Sequence, residues 1–76
     1  MTDVAIEYCV PCGHLERAQN LQEQLLSTHG QDLASVALVT GDSGVFRVEV
    51  DGEEIFDVAD DEYDQDAIVE AVSGRL

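Results

Sequence analysis

A chain of 76 residues has room for one hydrophobic core, and a net charge of −14 denies it the counterion-release attraction to nucleic acid or any pull toward an anionic membrane. A hydrophobic fraction of 45% excludes a disordered chain, and with Tyr8, Phe46, Phe56 and Tyr63 as the only aromatics the core must be mostly Val, Leu, Ile and Ala. The seventeen acids face three arginines and no lysine. They are spread along the chain, as on a surface kept soluble in a high-salt cytosol; a partner-docking tail would concentrate them, and only Asp60 to Asp66 comes close.

Asp3 to Tyr8 alternates polar and apolar residues, with Val4 and Ile6 on one face, and predicts a strand. Cys9-Val10-Pro11-Cys12 follows at once. From about Gly13 to His29 the apolar positions Leu15, Ala18, Leu21, Leu25 and Leu26 recur at helical spacing, and Gly30 is placed to end that helix. Val36 to Val39 predicts a second strand, parallel to the first because a helix separates them.

Val45–Val50 and Glu53–Val58 predict a hairpin around Asp51-Gly52. A two-residue loop would set Phe56 opposite Arg47 and split the apolar residues between two faces. A three-residue loop, Val50-Asp51-Gly52, gathers Phe46, Val48, Phe56 and Val58 on one face and is the expected register. Asp60 to Asp66 forms an acidic connector in which Asp64 or Asp66 can cap a last helix. Ala67, Ile68, Ala71 and Val72 would be its buried stripe, with Gly74 ending it. The expected fold is a single α/β two-layer domain over residues 1–76, βαβ followed by ββα. Two helices would cover one face of a four-stranded mixed sheet and leave the other face polar.

Two thiols spaced C-x-x-C between a strand and a helix form a redox motif of thioredoxin-like type. A helix N-terminus favours the thiolate, which is the nucleophile in disulfide exchange. Pro11 suits a first helical turn, and Gly13 leaves room for a thiol substrate to approach. Glu7 and Glu16 oppose the dipole; Arg17 is the only nearby cation, suited to pairing along the helix surface and within reach of the site. Tyr8 precedes the motif and is expected to pack at the strand end.

Other readings of the cysteines are weaker. A structural disulfide across so short a loop removes little unfolded-state entropy. Zinc would need His14 and His29 beside Cys9 and Cys12, yet the helix between the histidines spans about 24 Å at the helical rise. His14 is more simply a solvated first-turn residue. Pro11 is the only proline, so the cis-proline of standard thioredoxins has no counterpart and a reduced variant of that fold is indicated.

Three stretches resemble the selenoprotein W (Rdx) family of redox proteins. Tyr8-Cys9-Val10-Pro11-Cys12-Gly13 matches its Y-C-x-x-(U/C)-G. The run from Thr40-Gly41 through Gly44-Val45-Phe46-Arg47-Val48-Glu49-Val50-Asp51-Gly52 is similar to its glycine-bounded F-x-V-x-V-x-G hairpin, and the terminal amphipathic helix follows at a similar distance. The resemblance implies a thioredoxin-like fold without a cis-proline and thiol redox chemistry on partners that are poorly defined. Selenocysteine members carry selenium at the position of Cys12, whereas thioredoxin logic makes Cys9 the attacking thiol, so the order of the pair stays open at this point.

The expected function is thiol–disulfide exchange with protein or low-molecular-weight thiols, carried by Cys9 and Cys12 and supported by Tyr8, Pro11, Gly13 and Arg17. No metal, cofactor, nucleic acid or membrane partner is expected. The alternative is a non-enzymatic redox-sensing or metal-binding interaction module. A ubiquitin-like modifier is disfavoured, because Ser73-Gly74-Arg75-Leu76 lacks a terminal diglycine. The start, Met1-Thr2-Asp3-Val4, has neither the basic residues nor the apolar run of a signal peptide, so a cytoplasmic protein is expected, and the polar sheet face and acidic surface predict a monomer.

Overall fold

The alternation that opens the chain becomes β1 (Thr2–Cys9), and the elements that follow are α1 (Leu15–His29), β2 (Leu33–Gly41), β3 (Phe46–Val50), β4 (Glu53–Asp57) and α2 (Gln65–Ser73). The computed structural model describes residues 2–76. The sheet order is β2-β1-β3-β4, with β1 parallel to β2 and the remaining pairs antiparallel. This is the expected mixed four-stranded sheet and the thioredoxin-like βαβ-ββα order.

One buried cluster draws on every element: Val4, Ile6 and Tyr8 of β1, Leu33 and Val36 of β2, the β3 residues Phe46, Val48 and Val50, Phe56 of β4, and both helices. Each of the larger side chains contributes roughly 1.5–3 kcal/mol on burial. The helices therefore share one face of the sheet. The other face carries Glu7, Arg47 and Glu49, and Arg47 is ion-paired with Glu7 opposite it on β1 and lies 3.9 Å from Glu54 of β4. At the far end of the sheet the Asp3 carboxylate accepts from Ser35 Oγ at 2.9 Å. The Asp3 backbone exchanges bonds with Asp51, at 3.0 Å to its side chain and 2.8 Å from its amide.

Several boundaries differ from the sequence reading. β2 is nine residues long, not four, because it pairs along the whole of β1. α1 starts at Leu15, since Gly13 has a φ of +79° that no helix accommodates. Its buried stripe is Ala18, Leu21 and Leu25, while Leu15 and Leu26 are exposed. In α2 the stripe is Ile68, Val69 and Val72; Ala67 and Ala71 face outward. Asp64 is the N-cap and accepts from the Ala67 amide at 3.2 Å, and Gly74 closes the helix.

The hairpin loop is also corrected. Val50 pairs with Glu53, which leaves a two-residue turn of Asp51 (φ +53°) and Gly52 (φ +85°). Positive φ at both positions marks the turn whose twist suits a hairpin. Glu49 then pairs with Glu54 but Val48 with Phe56, so Ile55 is an extra residue, a β-bulge. The bulge shifts β4 by one place and brings Phe56 to the core face. The three-residue loop was expected to do the same, so the facial grouping of Phe46, Val48 and Phe56 holds through a different device. Val58 lies beyond β4 and packs at the margin of the core.

Among the described residues no helix is long and apolar enough to cross a membrane.

Candidate redox site

Cys9 is the last residue of β1, held in the sheet by its amide, which donates to Val45 O at 2.8 Å. It is 0% exposed. The chain then leaves the sheet in a tight turn, closed by the Gly13 amide donating to Val10 O at 3.3 Å. Pro11 is the second residue of that turn, where its fixed φ is favoured, and Cys12 is the third. Cys12 is exposed. The two sulfurs are at disulfide-bonding distance, with Cα atoms 5.3 Å apart.

This placement corrects one expectation. The motif does not open the helix, and Pro11 does not occupy a first helical turn. Five residues, Val10 to His14, separate β1 from α1, because Gly13 reverses the chain in the left-handed region. Space is open where a side chain on Gly13 would stand, which leaves the approach to Cys12 unobstructed from that side. His14 takes the N-cap position without a side-chain cap bond. It is half-buried, its ring edge-on to Phe46 at 5.9 Å between centroids, and so less open than the solvated first-turn residue expected.

Tyr8 is buried in the core, with Phe46 opposite it on β3. Phe46, Phe56 and Tyr63 form a mutual edge-to-face cluster, with centroids 5.3 to 6.4 Å apart. Such contacts add about 0.5–1.5 kcal/mol each beyond area burial. Tyr63 comes from the acidic connector, and its hydroxyl donates to Gln65 Oε1 at 3.2 Å. Burial pushes its phenol above the ordinary tyrosine range, with the Arg17 charge opposing that rise and Asp64 adding to it.

Arg17 makes no surface ion pair among the described residues. Its guanidinium carbon lies 4.5 Å from the centre of the Tyr63 ring and 5.8 Å from that of Phe46, a cation–π arrangement. A shallow cleft of about 360 Å³ joins these groups, lined by Gly13, His14, Glu16, Arg17, Tyr63 and Gln65 among others. Sequence pattern singled out neither Tyr63 nor Gln65, because no local signal ties the connector to the start of α1.

Among the described residues, ligating side chains gather at one other place. Glu54, Asp57 and Asp60 bring oxygens within 4.8 Å of one another, but the group includes neither cysteine. His29, required by a zinc reading, lies at the far end of α1.

The model of the Rdx family matches residues 3–73. A crystal structure of a protein from Bordetella parapertussis is 38% identical, with a TM-score of 0.91 over 99% of this chain and 98% of that one. The crystal structure of a selenoprotein W-related protein from Vibrio cholerae is 23% identical, with a TM-score of 0.88 over 96% of this chain and 94% of that one. No match is found among curated proteins.

Proposed function

This chain belongs to the Rdx family, and we propose that it is a thiol–disulfide redox protein in which Cys12 attacks and Cys9 resolves. The observation that carries the reading is the unequal exposure of two sulfurs held within bonding distance: Cys12 exposed on a turn, Cys9 fully enclosed. An attacking thiolate must reach a foreign sulfur in line, and only an accessible one can.

The chemistry runs in two exchanges. The Cys12 thiolate attacks one sulfur of a substrate disulfide, forming a mixed disulfide and releasing the other sulfur as a thiolate, which takes up a proton. Cys9 then loses its proton and attacks the Cys12 sulfur, releasing the second substrate thiol and closing the Cys9–Cys12 bond. Two electrons pass from the protein to the substrate, and a thiol reductant restores the pair by the reverse steps. Protein or low-molecular-weight thiols are the substrates. The setting is the cytoplasm, where a close cysteine pair is kept cycling, and the acidic surface suits one rich in salt.

Trapping with a small disulfide tests this reading. Cys9→Ser should accumulate a mixed disulfide on Cys12, because the resolving thiol is gone, whereas Cys12→Ser should react far more slowly. Accumulation in Cys12→Ser alone would reverse the order, and a wild-type pair that never equilibrates with a redox buffer would remove the function altogether.

A further inference from the structure

We infer that Arg17, held over the Tyr63 ring, is a recognition site for a carboxylate of the substrate that Cys12 attacks; this rests on the redox reading above. In a chain with seventeen acids and three arginines, ion pairing should claim every cation. It claims two. Arg47 has Glu7 and Glu54, and Arg75 has Glu53, with its guanidinium donating at 2.7 and 3.2 Å. Arg17 has no carboxylate oxygen within 4.0 Å among the described residues, although Glu16 precedes it and lines the same cleft.

Its position is fixed by something else. The guanidinium carbon lies over the Tyr63 ring, 4.5 Å from its centre, and that ring is held edge-to-face against Phe46 and Phe56 and tied by its hydroxyl to Gln65. A guanidinium keeps its N–H groups at the rim of its plane, and that planar fork, held here by a cation–π contact, matches a carboxylate with two parallel bonds. The cleft's other wall is Gly13 and His14, the two residues that follow Cys12. A small disulfide reaching Cys12 thus comes to the rim of the cleft that holds Arg17, the one arginine without a carboxylate partner among the described residues. The net charge of −14 disfavours anions over the whole surface, and among the arginines only Arg17 has no carboxylate within 4.0 Å among the described residues to offset its charge, so this cation is where an anionic substrate can be held. Glu16 in the cleft weighs against a dianion such as phosphate and leaves the monoanionic carboxylate as the better match.

The test has two arms. In the oxidised protein, titration with 3-(methylthio)propionate, followed by NMR at the Arg17 side chain and the Gly13 amide, should give saturable shifts. They should be absent with the neutral propanamide analogue and lost in Arg17→Gln. In the reduced protein, the ratio of rates on 3,3′-dithiodipropionate and on the uncharged 2-hydroxyethyl disulfide should fall about tenfold in Arg17→Gln, as expected for losing one charge-assisted contact. Where that variant fails to fold, Arg17→Lys keeps the charge without the fork and should lower the ratio at least about threefold. An unchanged ratio, or absent shifts in the wild type, overturns the carboxylate site while disulfide exchange itself leaves the redox reading standing. If neither disulfide reacts, the redox reading falls and the thioether titration still decides the site.

Discussion

Cys12 stands in solvent while Cys9, 5.3 Å away between Cα atoms, is fully buried. The strand holds one sulfur and the turn presents the other, so the two thiols of the reduced protein should differ in access. Brief alkylation of reduced protein should label Cys12 at least about tenfold faster than Cys9, since modification follows exposure. Peptide mapping by mass spectrometry reads the ratio, and equal labelling would show that the two thiols do not differ in access.

The same asymmetry has a stability counterpart. Under reducing conditions Cys9→Ala should cost about 1–2 kcal/mol, because it leaves a gap under a closed sheet end. Cys12→Ala should stay within about 0.5 kcal/mol, as exposed substitutions do. Urea unfolding of both reduced variants compares them directly.

Gly52→Ala should destabilise the hairpin by about 1 kcal/mol. Nothing lies within 4 Å of the added methyl, so the whole cost comes from a φ of +85° that alanine resists. Gly44, also at positive φ in open space, provides a matched comparison in the β2–β3 loop.

Asp64→Ala removes the one side-chain bond to the Ala67 amide at the start of α2 and should cost about 1 kcal/mol. Asp64→Asn should recover most of it, because an amide oxygen accepts equally well there. Thermal unfolding of the pair separates the cap from the lost charge.

Tyr63 gives an alkaline signature. Burial raises its folded pKa above the unfolded value, so the fold favours the neutral phenol. That contribution is complete below the unfolded pKa and is lost as pH rises through the folded one. Ultraviolet difference titration should show Tyr63 ionising above the ordinary tyrosine range, and Tyr63→Phe should remove that part of the alkaline loss of stability.

How far the sequence could be read depended on the reach of each signal. β1 and the body of α1 follow from periodicities carried by nearby residues, such as Val4 and Ile6 or Leu21 and Leu25, and the parallel pairing follows from the helix between two strands. The Ile55 bulge was hidden because period-two counting assumes one residue per place, and a bulge breaks that count without any marker in composition. The start of α1 was misplaced by two residues because a glycine after C-x-x-C reads equally as a helix opening or a turn; only its φ decides. The cysteine pair was evident, but its asymmetry was not, since enclosure of Cys9 depends on strands that arrive later in the chain. Arg17 on Tyr63 joins residues from opposite ends of the chain. An arginine among acids predicts an ion pair, and tertiary packing chose an aromatic ring instead.

Asp3 binds the strand next to it and the far hairpin turn through bonds of 2.8 to 3.0 Å. At the opposite end of the sheet, the turn around Cys12 is held by bonds from Val10, Gly13 and His14 of 3.3 to 3.4 Å, at the long limit for such contacts. One end of the molecule is thus clamped and the other loosely latched. Amide exchange should start at the loose end, and the reactive turn can unlatch to follow an incoming sulfur while the clamped strands keep their register.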